Sequence, residues 1–227
     1  MAPTPLLPAI VPVPTEAADA ARYLLDGRAT LLRVVRDLLE SVSDPTAVVV
    51  VSAPSSVRAI GDLLAADGLG AIPVVAADAP ADRMRCLAAG FEYVAAQPVS
   101  PRYLLVHDVR QPLTSAAVRE RVVAELVGGA AVVLPLLPVT DSVKAVDASD
   151  AVTATLDRST LRAVQYPRGF AADALARLVA SGEADELTAA TRSAMPITTV
   201  EGDADGFIAD LPRDAAFVEA VMASRRG

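Results

Sequence analysis

The sequence predicts an α/β protein whose mostly parallel β-sheet is covered by helices on both faces. Short runs of β-branched and aliphatic residues alternate with segments of helical period from residue 7 to residue 134, which is typical of consecutive βαβ units. Hydrophobic residues make up 53% of the chain and aromatic residues only 4%. Small aliphatic side chains must therefore fill the core, and they suit helices that pack closely on a parallel sheet. The length of 227 residues favours a single domain over 1–227.

Five short apolar runs are the predicted strands of this sheet. The first contains Pro8 and Pro12, which cannot donate to a strand ladder, and the second is nearly pure valine. The fourth is stopped by the polar run that begins at His107. The predicted strands cover 7–13, 47–51, 72–76, 103–106 and 130–134.

A segment of helical period follows each of the first four strands. Ser55 and Ser56 are the predicted caps of one helix, and Thr114 or Ser115 caps another. Because strand, helix and strand recur in this order, we expect right-handed crossovers and a parallel sheet. The predicted helices cover 30–41, 55–66, 82–95 and 115–127.

Residues 139–165 depart from this rhythm. Apolar and polar residues alternate on both sides of a turn predicted over 147–150, which indicates an antiparallel hairpin. The segment is too polar for another buried parallel strand, so we predict a β-arm that stands off the main sheet. A helix over 171–180, a strand over 197–200 and a closing helix over 213–225 complete the chain.

Composition limits the partners of the chain. Its net charge of −8 and pI of about 4.7 argue against nucleic acid, which requires clustered Lys and Arg. A small phosphorylated ligand needs only a local cluster of donors and is compatible with this charge. The longest apolar runs are too short to span a bilayer, and residues 1–14 lack the basic region of a signal peptide. We expect no membrane partner and a cytoplasmic location.

Cysteine and histidine are too scarce for several kinds of site. Cys86 is the only cysteine, so the chain has neither an internal disulfide nor a cysteine metal cluster. His107 is the only histidine, which rules out a histidine-rich metal site.

Three segments resemble the signatures of one enzyme family. They are similar, in order and spacing, to the vHDaaRPl, PvxDTiK and TxdRxxLwxxQTPQxF signatures of 2-C-methyl-D-erythritol 4-phosphate cytidylyltransferases. The likeness runs from about Leu7 to the C-terminus. The segments are 104–113 (LLVHDVRQPL), 137–146 (LPVTDSVKAV) and 152–170 (VTATLDRSTLRAVQYPRGF).

The resemblance implies a fold, an assembly and a reaction. The fold is a Rossmann-like nucleotidyltransferase fold, and the arm over 139–165 clasps a homodimer. The reaction joins CTP to a sugar-alcohol phosphate with loss of pyrophosphate, and Mg²⁺ assists at the α-phosphate in an active member.

The resemblance also assigns roles to five residues. Asp108 matches the carboxylate that holds the metal or the ribose at the carboxyl edge of a strand. Ser142 and Arg158 match groups that reach across the dimer to the sugar-phosphate substrate. Arg83 and Cys86 stand in the nucleotide-binding loop, where Cys86 replaces a serine and is a poor hydrogen-bond donor.

Three of these residues have a structural alternative. Asp108 would then only cap the turn that follows it, and Arg83 would be a surface residue of a helix. Arg158 would pair with Asp141 or Asp157 and stiffen the arm.

The nucleotide-handling groups that the resemblance implies are missing. Residues 13–22 contain no glycine and include Glu16 and Asp19, whereas a phosphate loop needs exposed main-chain N–H groups and no nearby acids. The two positions matched to catalytic lysines are Ala20 and Ile208. Further along the chain, the acidic Thr-Asp step of the family is matched to residues 191–192, which are Thr-Arg in this sequence.

We therefore expect a non-catalytic or severely impaired homologue, because losing one charge-stabilising donor already costs ~10²–10³ in rate. Such a protein could regulate, or form a heterodimer with, a true cytidylyltransferase. The alternative is an active enzyme that uses rearranged basic residues: Arg22, Arg83, Arg85 and Arg110. A third interpretation is a sensor of a small phosphorylated ligand.

Overall fold

The structure is a computed structural model that describes residues 7–42 and 44–225. Within these ranges no helix has the length and apolar character needed to cross a membrane. The strands are β1 (Ala9–Val13), β2 (Leu24–Leu25), β3 (Arg28–Ala29), β4 (Val48–Ser52), β5 (Val74–Ala76), β6 (Tyr103–Val106), β7 (Val132–Pro138), β8 (Val143–Val146), β9 (Val152–Leu156), β10 (Arg162–Val164), β11 (Arg168–Ala171) and β12 (Ile197–Glu201). The helices are α1 (Ala18–Arg22), α2 (Thr30–Leu39), α3 (Pro54–Ala66), α4 (Arg83–Ala95), α5 (Ala116–Val127), α6 (Ala172–Val179), α7 (Glu186–Arg192) and α8 (Ala215–Ser224).

The central sheet confirms the predicted α/β fold. Its strands lie in the order β10-β7-β11-β6-β1-β4-β5, and β12 pairs with β7. The pairs β1–β4, β1–β6, β4–β5 and β7–β12 are parallel. β11 runs antiparallel to β6 and β7, and β10 antiparallel to β7. The sheet is therefore mostly parallel, as predicted.

Helices bury both faces of this sheet. Successive residues of a strand point to opposite faces, so Val11 lies in one core and Ile10 in the other. Leu31 of α2 packs in the first core and Leu87 of α4 in the second. An added Cβ at Gly90 of α4 would lie 2.6 Å from Cγ2 of Ile10, so this glycine lets α4 approach β1 closely.

The predicted helix caps are partly wrong. Ser55 and Ser56 lie inside α3, which begins at Pro54 without a side-chain cap; the fixed φ of proline suits a first helical turn. Ser115 caps α5 by accepting a hydrogen bond from the N–H of Val118. Thr114 instead donates from its hydroxyl to the carbonyl of Tyr166 at 3.2 Å.

The predicted hairpin is confirmed, and its strands form a sheet separate from the main one. β8 and β9 pair antiparallel, and Asp147 accepts the N–H groups of Ser149 and Ala151 in the turn between them. β10, which lies inside the predicted arm of 139–165, returns to the main sheet beside β7. The hairpin that stands off the sheet therefore spans 143–156.

Candidate functional site

The topology indicates a candidate ligand site at the carboxyl ends of β1 and β6. β1 pairs with β4 on one side and with β6 on the other, so the strand order reverses at this point. Open α/β sheets bind ligands in the crevice beyond the strand ends at such a switch point. The residues after β1 and β6, together with the start of α4, form the candidate site.

Asp108 lies at this edge, two residues after β6, and is only 3% exposed. Its Oδ1 accepts hydrogen bonds from the main-chain N and the Nε of Arg110, at 2.9 and 3.0 Å. Its Oδ2 accepts from Nη2 of Arg110 at 2.8 Å and from Nη1 of Arg83 at 3.4 Å. Asp108 thus closes the local turn and is also paired with two guanidinium groups.

Glu186, the first residue of α7, is fully buried and is paired with Arg83. Arg83 donates from Nη2 to Oε1 of Glu186 at 2.6 Å and from Nε to Oε2 at 2.9 Å. Arg168 donates from Nη1 to Oε1 at 2.9 Å. Arg83 is therefore a buried link between two carboxylates and not a surface residue of α4. Five residues make up this arginine–carboxylate cluster: Arg83, Asp108, Arg110, Arg168 and Glu186.

Tyr166 packs against the cluster. The guanidinium carbons of Arg168 and Arg83 lie 4.2 and 5.1 Å from the centre of its ring, a cation–π arrangement. The main-chain N–H of Tyr166 donates to Oε1 of Gln111 at 2.7 Å. Gln111 is buried and fixes the backbone beside the site.

Pairing keeps both carboxylates of the cluster ionised. Burial by itself raises the pKa of a carboxyl group. Hydrogen bonds from Arg110 and the charge of Arg83 outweigh burial at Asp108, whose pKa lies below its ordinary value. The charges of Arg83 and Arg168 do the same for the pKa of Glu186.

His107 lies under this edge as a neutral packing residue. Burial lowers the pKa of His107 to about 4, so the ring is uncharged at neutral pH. Its Nδ1 accepts a hydrogen bond from the main-chain N–H of Asp108 at 2.8 Å.

The segment that follows β1 is helical. A 3-10 turn (Thr15–Ala17) leads directly into α1, and Ala17 and Ala21 are buried in the core. The N–H of Thr15 donates to the carbonyl of Ala81 at 3.0 Å. This bond joins the segment after β1 to the segment before α4.

Cys86 lies inside α4 and has no exposed surface. Burial raises the pKa of its thiol to about 12. A fully buried thiol has no surface to offer a nucleotide, so we leave Cys86 out of the proposed ligand site.

The cluster does not fit the Mg²⁺ ion that the resemblance implies at Asp108. Both oxygens of this carboxylate accept hydrogen bonds from guanidinium groups. In the described ranges, no three His, Cys, Asp or Glu side chains are grouped so that they could hold a metal ion. A cation at Asp108 would have to displace Arg110 first.

Ser142 and Arg158 are exposed at the base of the hairpin. Arg158 donates from Nη1 to the carbonyl of Thr140. It forms no ion pair with Asp141 or Asp157 in the part of the chain that the structure describes, and Asp157 instead accepts the N–H of Ser159. Neither Ser142 nor Arg158 is hydrogen-bonded to the cluster within one described chain.

Glu186 was not predicted as a site residue from the sequence. The acidic step of the family was matched to 191–192, but Arg192 is an exposed residue at the end of α7. The acidic residues, Asp185 and Glu186, lie at the start of α7. Asp185 caps this helix by accepting hydrogen bonds from the N–H groups of Leu187 and Thr188. Asp185 in front of a short apolar-polar segment is a helix-start signal that could have located Glu186.

Comparison with solved structures agrees with the fold. The structure of 2-C-methyl-D-erythritol 4-phosphate cytidylyltransferase from Thermus thermophilus matches with a TM-score of 0.75 at 24% identity, covering 96% of this chain and 99% of that one. A structure described as 4-diphosphocytidyl-2C-methyl-D-erythritol synthase matches with a TM-score of 0.80 at 23% identity, covering 96% and 99%.

Comparison of sequences identifies the family. A relative from Rhodococcus opacus (strain B4), named 2-C-methyl-D-erythritol 4-phosphate cytidylyltransferase, is 35% identical over 201 residues, which is 87% of this chain and 84% of the relative. A relative of the same name from Nocardia farcinica is 42% identical over 125 residues, 54% of each chain. The family model for IspD, 2-C-methyl-D-erythritol 4-phosphate cytidylyltransferase, matches residues 16–224. The chain therefore belongs to the 2-C-methyl-D-erythritol 4-phosphate cytidylyltransferase family of isoprenoid biosynthesis.

Proposed function

We propose that this chain is a catalytically impaired member of its family that keeps a pocket for a small phosphorylated ligand. The observation that carries the proposal is the segment over 13–22. Transfer of a cytidylyl group requires N–H groups and cations arranged around a triphosphate. Here residues 15–22 form a 3-10 turn and a helix, which pack Ala17 and Ala21 into the core and expose Glu16 and Asp19.

The surroundings of the two lost lysine positions support the proposal. The carbonyl of Ala20, inside α1, accepts a hydrogen bond from the hydroxyl of Thr30. Ile208 is 48% exposed, and the N–H of the next residue, Ala209, donates to the carbonyl of Arg110 at 2.8 Å. The residue matched to the second lysine is therefore apolar, and its neighbour Ala209 is bonded to the backbone of Arg110.

The proposed ligand pocket uses Arg110 and Asp108 of one chain. Arg110 is the accessible member of the cluster, with 42% of its side chain exposed. An arginine with accessible donors can bind a phosphate group in a bidentate manner. Ser142 and Arg158 would complete the pocket from a second chain.

The proposed assembly is a dimer through the hairpin of β8 and β9. Val146 and Val152 are directly opposite each other in this hairpin and are 54% and 64% exposed. Exposed apolar residues that lie together mark a contact surface. The second chain is either an identical copy or an active cytidylyltransferase, which this chain would then regulate.

The alternative, an active enzyme with rearranged basic residues, rests on family membership and on Arg110. The other candidates are engaged locally: Arg22 pairs with Asp19 at 2.9 Å, and Arg85 donates to the carbonyl of Pro80 at 3.1 Å. Arg83 is held by Glu186.

Pyrophosphate release tests the proposal directly. The chain and its Rhodococcus opacus relative are incubated in parallel with CTP, Mg²⁺ and 2-C-methyl-D-erythritol 4-phosphate. We expect release at background level from this chain, with no calorimetric signal for CTP and intact folding by circular dichroism. A rate comparable to that of the relative would overturn the proposal and establish the alternative.

A further inference from the structure

Two apolar surfaces of the chain are exposed. The first is the hairpin pair of Val146 and Val152, which lie opposite each other and are 54% and 64% exposed. The second, which we call the C-terminal patch, consists of Phe207, Ile208 and Phe217. Ile208 is 48% and Phe217 60% exposed, and the ring centres of Phe207 and Phe217 are 5.1 Å apart. Exposed apolar side chains grouped in this way indicate a contact surface.

The strand directions place both surfaces at the edge of the sheet that carries the candidate site. β6 and β7 both run antiparallel to β11 and are therefore parallel to each other, and β12 is parallel to β7. The hairpin follows β7 and the C-terminal patch follows β12, so both leave the sheet at the edge where β6 ends and Asp108 lies. The N–H of Ala209, next to Ile208, donates to the carbonyl of Arg110 at 2.8 Å, which joins this segment to the site. Val99, another exposed apolar residue, precedes β6 and lies at the opposite edge.

A second copy of the chain can cover both surfaces at once. Within one described chain the hairpin pair and the C-terminal patch stay exposed, so neither is covered by the other. In a two-fold dimer each contact occurs twice, because the hairpin of each chain covers the patch of its partner. Burial of apolar surface is the main favourable contribution to such association. One symmetric arrangement therefore buries both surfaces of both chains.

Residue 208 bears on which chain the partner is. The family resemblance matches this position to a lysine, whereas this chain has isoleucine. A lysine covered by an apolar hairpin would lose its hydration at a cost in free energy, but an isoleucine gains from the same burial. The hairpin pair therefore fits the patch of this chain better than the patch of a relative that carries lysine.

We infer that the C-terminal patch is the docking surface for the hairpin of a second copy of this chain. Ile208 favours this homodimer over a dimer with a family member that carries lysine at the matched position. The inference rests on the proposed function, since it names the partner that would bring Ser142 and Arg158 to Arg110.

Ile208→Lys tests the docking surface. Sedimentation over a series of chain concentrations gives the dissociation constant of the dimer. We expect Ile208→Lys to raise this constant about tenfold or more, because the symmetric contact buries the new charge twice. Val99→Lys introduces the same charge at an exposed apolar residue of the opposite edge and should leave the constant unchanged. An unchanged constant in Ile208→Lys, with folding verified by circular dichroism, overturns the inference.

Co-purification tests the choice of partner. A tagged wild-type chain is mixed with equal amounts of untagged wild type and of a family member that has lysine at the matched position. We expect the tagged chain to capture the untagged wild type in clear excess. Equal capture of the two chains would refute the role of Ile208 in partner choice.

Cross-linking covers the case in which Ile208→Lys does not fold. Chains with Val152→Cys and chains with Ile208→Cys, carrying different tags, are mixed and treated with a short bismaleimide. Cys86 has no exposed surface and does not compete for the reagent. We expect a product that carries both tags, and no such product when Val99→Cys replaces Ile208→Cys. A dimer that gives no product between positions 152 and 208 would contradict the docking surface.

The outcomes distinguish this docking surface from the proposed function. A dimer that Val152→Asp dissociates and Ile208→Lys leaves intact overturns the docking surface and keeps the proposed assembly through the hairpin. A monomeric wild type overturns both. Pyrophosphate release is measured separately, so the proposed loss of catalysis stands or fails independently of all these results.

Discussion

Gln165 forms a two-point hydrogen bond with the backbone of Asp203. Its Nε2 donates to the carbonyl of Asp203 at 2.7 Å, and its Oε1 accepts from the N–H of Asp203 at 2.8 Å. Gln165 is 3% exposed and immediately precedes Tyr166. The contact therefore ties the turn after β12 to the segment that leads into the arginine–carboxylate cluster.

Replacing Gln165 by leucine should destabilise the chain by about 2–3 kcal/mol, because two backbone groups lose their partners. Urea unfolding followed by circular dichroism measures this. Gln97→Leu, at an exposed glutamine that only donates to the carbonyl of Tyr93, is the control and should change stability little. Equal stabilities of the two variants would contradict the structural role of Gln165.

Gly169→Ala should destabilise the chain by about 1–3 kcal/mol through overpacking. An added Cβ there would lie 2.7 Å from Cγ1 of Val122 and 2.8 Å from Cδ1 of Leu126. Gly61→Ala is the matched control, since its Cβ would meet nothing within 4 Å in the middle of α3. That substitution should stabilise by about 0.5–1 kcal/mol through helix propensity. Thermal unfolding of both variants would show opposite shifts.

Asp37 should make stability depend on pH between about 4 and 6. Burial raises the pKa of Asp37 from 3.8 to about 6, and the nearby negative charge of Glu40 also raises it. The positive charges of Arg119, Arg33 and Arg225 lower this pKa but do not outweigh burial. The native state holds this proton more tightly than the unfolded chain. The stabilising contribution is thus complete below pH 3.8 and is lost as the pH rises through about 6.

Asp37→Asn should therefore be more stable than the wild type by about 1–3 kcal/mol at pH 7.5 and equally stable near pH 4. Denaturant unfolding at a series of pH values measures the difference. Asp62→Asn, at a position whose side chain is 78% exposed on α3, serves as the control. A difference between Asp37→Asn and wild type that is constant with pH would disprove the assignment.

Val152→Asp should dissociate the proposed dimer. Val152 is 64% exposed and pairs with Val146 across the hairpin, so a charge there costs little in the isolated chain and much in an apolar contact. Light scattering after size-exclusion chromatography would give the mass of a monomer. Gln97→Asp, at an exposed residue outside the hairpin, adds the same charge and should leave the mass unchanged. A wild-type chain that is monomeric would contradict the proposed assembly.

The repeating elements of the fold were predictable because each one follows a local pattern. The Val-rich run that forms β4 and the helical stripe of α2 are readable from adjacent residues. The antiparallel β11 was not predicted. It is four residues long and contains Gly169, whose presence is explained by α5, more than forty residues earlier in the chain.

The candidate site was predictable only in part for a related reason. Asp108 follows a strand and lies in a recognisable motif, so the sequence identified it. Glu186 became part of the site because α7 packs its first residue behind Arg83, 103 positions away. No local sequence pattern predicts such a contact, because the sequence does not distinguish a buried glutamate from an exposed one.

On the proposed function, the Thr15–Ala81 hydrogen bond bears on any attempt to give this chain transferase activity. Placing a lysine at position 20 would put a cation on a helix whose main chain is already committed to its own turns and to the neighbouring segment. A gain of activity would then require a different course of the main chain between β1 and β2, and not one new side chain.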